Sequence, residues 1–334
     1  MKNTQAVRVV LDQCLKVGQK ESLVIVVDEG TRNLGNLFHQ EGRRMGAESV
    51  LVDMISRENN GMEPPLPVAR ALQEAGAAIL LTSRSLSHTR ARREACLRGA
   101  RVASMPGLTE DMLARTLGEG VGPVVRLSAL AAGALTGDLV RVNTPAGTDL
   151  SFSIRGRTAH CDDGNLTARG AFGNLPAGEA YIAPLEGTAR GTLVIDGSMA
   201  GIGLLDEPIR IQVEEGLARQ VSGGPQARQL DAILERYGSP ARNIAELGIG
   251  TNPFARLTGA ILEDEKVLGT VHIALGDNAS MGGTVEADSH LDGVLLHPTV
   301  TVDGRILVED GRILPYNEGD GFPAGDPCNL ANGE

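Results

Sequence analysis

At 334 residues, with 42% apolar residues and 43 glycines, the chain is long enough for two domains and carries the composition of a folded enzyme rather than a disordered or fibrous protein. The formal net charge of −11 offers no basic stripe to a nucleic-acid backbone, and no apolar run reaches the ~18 residues that span a bilayer. Aromatic residues make up 2% and tryptophan is absent, so the cores must be built from Val, Ile, Leu and Ala.

The N-terminus lacks the apolar stretch of a signal peptide. Cys14, Cys96, Cys161 and Cys328 follow no metal or disulfide spacing, which reads as reduced thiols in a cytoplasmic protein. Val7, Val10, Leu11, Cys14 and Leu15 recur at helical spacing and predict an amphipathic first helix. The apolar run from Ser22 to Asp28, ending in a polar tip, predicts a buried parallel strand. A helix over 31–45, closed by Gly46, precedes a second strand at 49–53, and strands at 77–82 and 100–104 complete four strand–helix units. This alternation predicts an α/β fold with an N-terminal doubly wound parallel-sheet domain over residues 1–130. Asp28-Glu-Gly-Thr-Arg32 follows the first strand where a dinucleotide fold would carry G-x-G-x-x-G, so the domain is Rossmann-like without that motif.

An Ala- and Gly-rich stretch over 129–137 marks the expected junction. Beyond it, short strands at 139–143, 150–154, 192–195 and 209–213 alternate with Gly-, Pro- and Asp-rich turns, and one helix is expected at 227–237. They predict a β-rich, metal-binding catalytic domain over 138–320, followed by a Gly-, Pro- and Asn-rich tail over 321–334.

Chemistry concentrates in four segments of this second part. His290-Leu-Asp292 reads as a strand, where residues two apart point to one face, so an imidazole and a carboxylate can converge on one ion. His272 stands 18 residues earlier in another strand-like run, and Glu179 and Glu246 lie in glycine-rich segments further upstream. No cysteine is near, which argues for a reactive rather than a structural metal site. Three carboxylates and two imidazoles suit a pair of divalent ions such as Zn, Co or Mn, and with a bridging hydroxide they suit hydrolysis. Either glutamate could instead serve as the general base on a metal-bound water.

Asn174-Leu-Pro-Ala-Gly-Glu179, Glu246-Leu-Gly-Ile-Gly-Thr-Asn252, Gly269-Thr-Val-His272 and His290-Leu-Asp292 resemble, in this order, motifs of the aminopeptidase T and aminopeptidase S metallopeptidases. The resemblance covers most of residues 138–315. It implies a homodimeric aminopeptidase acting on small peptides or amides, with Glu179, Glu246, His272, His290 and Asp292 as ligands of two metal ions. The tyrosine that follows the histidine in those peptidases is missing: Gly276-Asp-Asn278-Ala-Ser-Met-Gly-Gly283 stands there. Asn278, with Asp277, could substitute in part, and His88, just past a predicted strand end, could contact substrate or sit at a helix N-terminus capped by Ser87 or Ser85.

The 2,5-dihydroxypyridine dioxygenases resemble the same scaffold and imply one Fe(II) bound by two histidines and one carboxylate. In that family the position of Glu246 is histidine, and the positions of Glu179 and His272 are not ligands. Retention of Glu179, Glu246 and His272 favours the hydrolase reading here, with the dioxygenase as the alternative enzyme and a metal-binding protein without turnover as a further class.

Overall fold

The structure, a computed structural model, describes residues 2–314, so the tail at 321–334 and Cys328 lie outside the described residues. The fold is mixed α/β, with one parallel and two antiparallel sheets. The chain divides into two units, one formed by residues up to Val125 together with Asp163–Ala177, the other by Arg126–Asp162 and the chain from Gly178 onward.

In the first unit, Ser22–Val27 pairs in parallel with Glu48–Asp53 on one side and Ala77–Leu81 on the other, and Arg101–Ser104 extends the sheet. Val24, Val26, Ala78, Leu80 and Val102 face the helices Leu66–Gln73 and Arg90–Arg98. The helix Lys2–Arg8 packs against both Arg32–Arg44 and Glu110–Leu117, and Arg32–Arg44 lies on Leu23 and Val27 of the opposite face. The near-continuous apolar runs follow from this double cover. A fifth parallel strand, Phe172–Asn174, pairs with Arg101–Ser104. Residues 163–177 thus fold with the first unit although the chain has already entered the second. Three residues with one apolar side chain give no period from which that strand could be read. The first division falls inside the helix Gly122–Ala134, a few residues before the Ala- and Gly-rich stretch, where alanine, the strongest helix former, keeps the backbone helical.

The second unit carries both antiparallel sheets. The eight-stranded sheet runs from Leu217–Ser222 at one edge to Arg312–Ile313 at the other. The seven-stranded sheet has Gly203–Leu204 and His160–Asp162 at its edges. In Ile209–Glu214 every second side chain (Ile209, Ile211, Val213) is buried and the others are exposed. A one-residue slip would turn the whole set to solvent, so burial fixes the register. These side chains join Leu247, Ile249, Val271, Ile273, Leu275 and Leu295 of the other sheet in one core, to which the helix Pro225–Tyr237 adds Ala227, Leu230 and Leu234. The seven-stranded sheet therefore has one face in the core and one free for chemistry. No helix among the described residues is long and apolar enough to cross a membrane.

Candidate metal centre

Four neighbouring strands of the seven-stranded sheet, Glu179–Ile182, Ile244–Gly250, Val271–Gly276 and His290–Leu295, carry the five residues singled out by their motifs. Because Leu247, Ile249, Ile273 and Ile182 point into the core, alternation sends Glu179, Glu246, His272, His290 and Asp292 to the other face. Register aligns them further: Glu246 pairs with Ala274 and Ala274 with Asp292, while Gly276 pairs with His290. The pairing shifts by one residue between Ile244 and Glu246, leaving Ala245 as the extra residue of a bulge. Such a bulge re-aims the side chain beside it.

The donor atoms form two groups that share Glu246, namely Glu246, His290 and Asp292, and Glu179, Glu246 and His272. His290 Nε2 lies 3.3 Å from Glu246 Oε2 and 3.3 Å from Asp292 Oδ1. His272 Nε2 lies 3.2 Å from Glu246 Oε1 and 3.2 Å from Glu179 Oε2. Ligands held about 2.1 Å from one ion are separated by about 3.0–3.4 Å in octahedral or tetrahedral geometry, so both sets have the edge lengths of a coordination shell. His290 Nδ1 lies 2.9 Å from the carbonyl oxygen of Asp277. A carbonyl can only accept, so Nδ1 carries a proton there and Nε2 is the nitrogen turned to the group, free to ligate once its own proton is displaced. Buried Glu179 Oε2 accepts no hydrogen bond and buried His272 Nδ1 has no partner.

Two glycines make this face possible. A Cβ at Gly248 would lie 1.9 Å from His272 Nε2, so the imidazole occupies the space a side chain would fill. A Cβ at Gly250 would lie 2.0 Å from the carbonyl oxygen of Val267, so the glycine lets the segment carrying Glu265 and Lys266 lie against the strand.

That segment brings residues whose role the sequence did not signal. Lys266 is buried, with Nζ 2.5 Å from Glu179 Oε1, 2.7 Å from Glu265 Oε1 and 3.6 Å from Asp162 Oδ2. Burial alone would lower its pKa, but these carboxylates outweigh burial and hold the ammonium well above its ordinary value. Burial, with the charges of Asp292 and Glu179, pushes the Glu265 carboxyl up to about 8 against the pull of Lys266. Burial likewise works against ionisation of Glu179 and Glu246, yet both are held below the usual carboxylate range, Glu179 chiefly by Lys266 and Glu246 chiefly by His272 and His290. The two imidazoles are raised well above their ordinary value because the same carboxylates outweigh burial.

Asn278 is buried and engaged at both ends: Nδ2 donates to Glu186 Oε1, in the connection after Glu179–Ile182, at 3.1 Å, and Oδ1 accepts from Val285 N of its own loop at 2.9 Å. It shapes the segment between His272 and His290, and neither end of its side chain is open to a substrate. His88 is exposed and belongs to the first unit. The following helix is capped by Thr89, whose hydroxyl accepts from Arg92 N, and not by Ser87 or Ser85. His297 Nδ1 lies 3.3 Å from Asp310 Oδ1.

The family model described as NicX, 2,5-dihydroxypyridine 5,6-dioxygenase, matches residues 2–315. The chain belongs to this family. The 2,5-dihydroxypyridine 5,6-dioxygenase of Pseudomonas putida KT2440 is 24% identical over 192 residues, which is 54% of this chain and 55% of that protein. The sequence match thus spans about half the length of this curated relative. The structure of 2,5-dihydroxypyridine dioxygenase from Pseudomonas putida KT2440 superposes with a TM-score of 0.80 at 20% identity, covering 95% of this chain and 98% of that one. AmpT from Thermus thermophilus gives 0.65 at 17% identity, over 93% and 99%. At such identities the two structures show a shared fold.

Membership of the NicX family overturns the aminopeptidase reading, and with it the hydrolase, protease and peptide-substrate expectations. The physical reason lies in the motifs themselves. Their glycines, 248 and 250 above all, build a sheet face that seats an imidazole and admits a neighbouring segment. They encode the scaffold on which donors stand, and the scaffold does not choose between hydrolysis and oxidation.

Proposed function

We propose that the chain is a metal-dependent dioxygenase that opens the ring of a hydroxylated pyridine or similar small aromatic diol, with Fe(II) held by Glu246, His290 and Asp292. The reading rests on NicX family membership, and the observation that carries the site is the convergence of Glu246 Oε2 and Asp292 Oδ1 on His290 Nε2. The donor set fits a divalent first-row ion: one imidazole and two carboxylate oxygens, with coordination-like spacing. It differs from a two-histidine, one-carboxylate set by the glutamate at 246. Two carboxylates balance a divalent charge, where the two-histidine set would leave about one positive unit.

When bound, a ferrous ion supplies the one-electron chemistry that lets dioxygen react with a closed-shell ring. The protein supplies the rest. The Asp277 carbonyl orients His290, the second oxygen of Glu246 is held towards His272, and burial excludes water from Glu246 and Asp292. Lys266 neutralises Glu179, so no uncompensated carboxylate stands beside the ring's own oxygens.

The adjoining group of Glu179, Glu246 and His272 is a second position where Zn, Co or Mn would make the centre dinuclear, and the orphaned Glu179 Oε2 favours that occupancy. The Lys266 ammonium on Glu179 Oε1 opposes it. Metal-free protein loaded anaerobically with Fe(II) and then given 2,5-dihydroxypyridine and oxygen tests the proposal. One iron per chain and equimolar consumption of oxygen and ring are expected. Bound iron with no oxygen uptake on any dihydroxypyridine or aromatic diol would sink it.

A further inference from the structure

Aromatic side chains are scarce in this chain, with three tyrosines and five phenylalanines. One of them stands on the face that carries the metal ligands. Tyr181 is two residues from Glu179 on the same strand, and the ladder runs His160–Tyr181–Gly248–His272 across four strands. Its neighbours Ala180 and Ile182 lie in the core, so Tyr181 projects towards the ligand face. His160 stacks on it, with ring centroids 5.0 Å apart and an interplanar angle of 18°. The His272 ring fills the space above Gly248, so no other side chain stands between Tyr181 and that imidazole in the row.

The Tyr181 side chain is partly exposed, and no hydrogen bond among the described residues engages its hydroxyl. That hydroxyl is not one of the buried polar atoms left unsatisfied, so it stands open to solvent and to a ligand. A phenol is protonated near neutral pH and so can donate. An apolar ring with one free donor, stiffened by a stacked imidazole, is suited to a flat, oxygen-substituted ring.

We infer that Tyr181, buttressed by His160, is a substrate-recognition residue: its hydroxyl donates a hydrogen bond to an oxygen substituent of a planar aromatic substrate bound at the Glu246–His290–Asp292 centre. This rests on the dioxygenase reading. The rings of His160 and Tyr181 set the orientation of the substrate ring, and the phenol sets which oxygen substituent is accepted.

The test is binding without turnover. Fe(II)-loaded protein is titrated with 2,5-dihydroxypyridine under strict anaerobiosis, comparing wild type, Tyr181→Phe and His160→Ala at equal iron content. Loss of one buried hydrogen bond predicts about three- to tenfold weaker binding for Tyr181→Phe, and loss of the stacked pair predicts about two- to tenfold for His160→Ala. For the ring analogue lacking the contacted hydroxyl, wild type and Tyr181→Phe should bind alike. If Tyr181→Phe binds 2,5-dihydroxypyridine as wild type does, the assignment of Tyr181 is overturned while the dioxygenase reading stands. If iron-loaded wild type does not bind the ring at all, the dioxygenase reading fails and this assignment fails with it.

Discussion

Gly248→Ala separates the two metal groups with a single methyl. The backbone tolerates the change, since Gly248 is not among the glycines with positive φ. Space does not: the added carbon would lie 1.9 Å from His272 Nε2, 2.1 Å from Cε1 and 2.8 Å from Cδ2. Carbon contacts settle near 3.5 Å, so the imidazole must retreat by about 1.5 Å. Metal–ligand distances tolerate about 0.2 Å, so the Glu179–Glu246–His272 group can no longer close on an ion. His290 meets the other oxygen of Glu246 and Asp292 meets His290, and neither is among the atoms nearest the added carbon. Overpacking of this kind costs about 1–3 kcal/mol, visible as a melting temperature lowered by several degrees. With the ion at Glu246, His290 and Asp292, Gly248→Ala keeps about one iron per chain and its ring-opening activity, whereas His290→Ala loses both. Metal analysis of the two purified variants decides. A folded, metal-free Gly248→Ala protein, or an iron-replete His290→Ala protein, would refute the placement.

Two further outcomes follow from the charges. Lys266→Met leaves Glu179 and Glu265 buried without their ammonium, and breaking a buried pair from one side costs about 3–5 kcal/mol. Denaturant melts should show that loss, with partial recovery in Lys266→Met combined with Glu179→Gln; a loss below about 1 kcal/mol contradicts the ion-pair account. Stability should also respond to pH with opposite sign in the metal-free and loaded proteins. In the metal-free protein His272 and His290 have raised pKa values, so their contribution is fully present below the unfolded value of about 6.5 and is lost as pH rises through the folded values. The depressed carboxylates Glu179 and Glu246 contribute above about 4.3 and lose that contribution as pH falls. The metal-free melting temperature should therefore peak between about pH 4.5 and 6.5. Metal binding must displace the imidazole protons, so the stabilisation by added Fe(II) should grow from pH 6 to 8. A metal-induced shift that is flat over that range would count against imidazole ligation.

Much of the fold was legible because its signals are local. The runs at Ser22–Val27 and Ala77–Leu81 are apolar at almost every position, which marks strands buried on both faces, and Ile209–Glu214 alternates as a half-buried strand must. The return of Phe172–Asn174 to the first sheet was not legible, since a three-residue edge strand is chosen by its partner's free hydrogen bonds. That Glu179, Glu246, His272, His290 and Asp292 converge was legible from their motifs, but their chemistry was not, because glycine-rich motifs report room for a side chain and not its reaction. Lys266 was hidden for a different reason. In sequence, Glu263-Asp-Glu-Lys266 reads as a solvated charged turn, and its burial depends on Gly250 lacking a side chain on a strand sixteen residues earlier. Tyr181 was hidden because one aromatic in a strand looks like core; its neighbours' burial turns it the other way.

The ladder beneath the ligands has a consequence for how such a centre can change. Each donor hangs from a strand whose spacing, near 4.8 Å, is set by backbone hydrogen bonds and not by the side chain it bears. The face is in effect a pegboard. Exchanging one peg, imidazole for carboxylate at position 246, alters the charge of the centre by a whole unit while the holes stay where they are. A protein built this way can pass between reaction types one residue at a time, without refolding the ground on which the reaction stands.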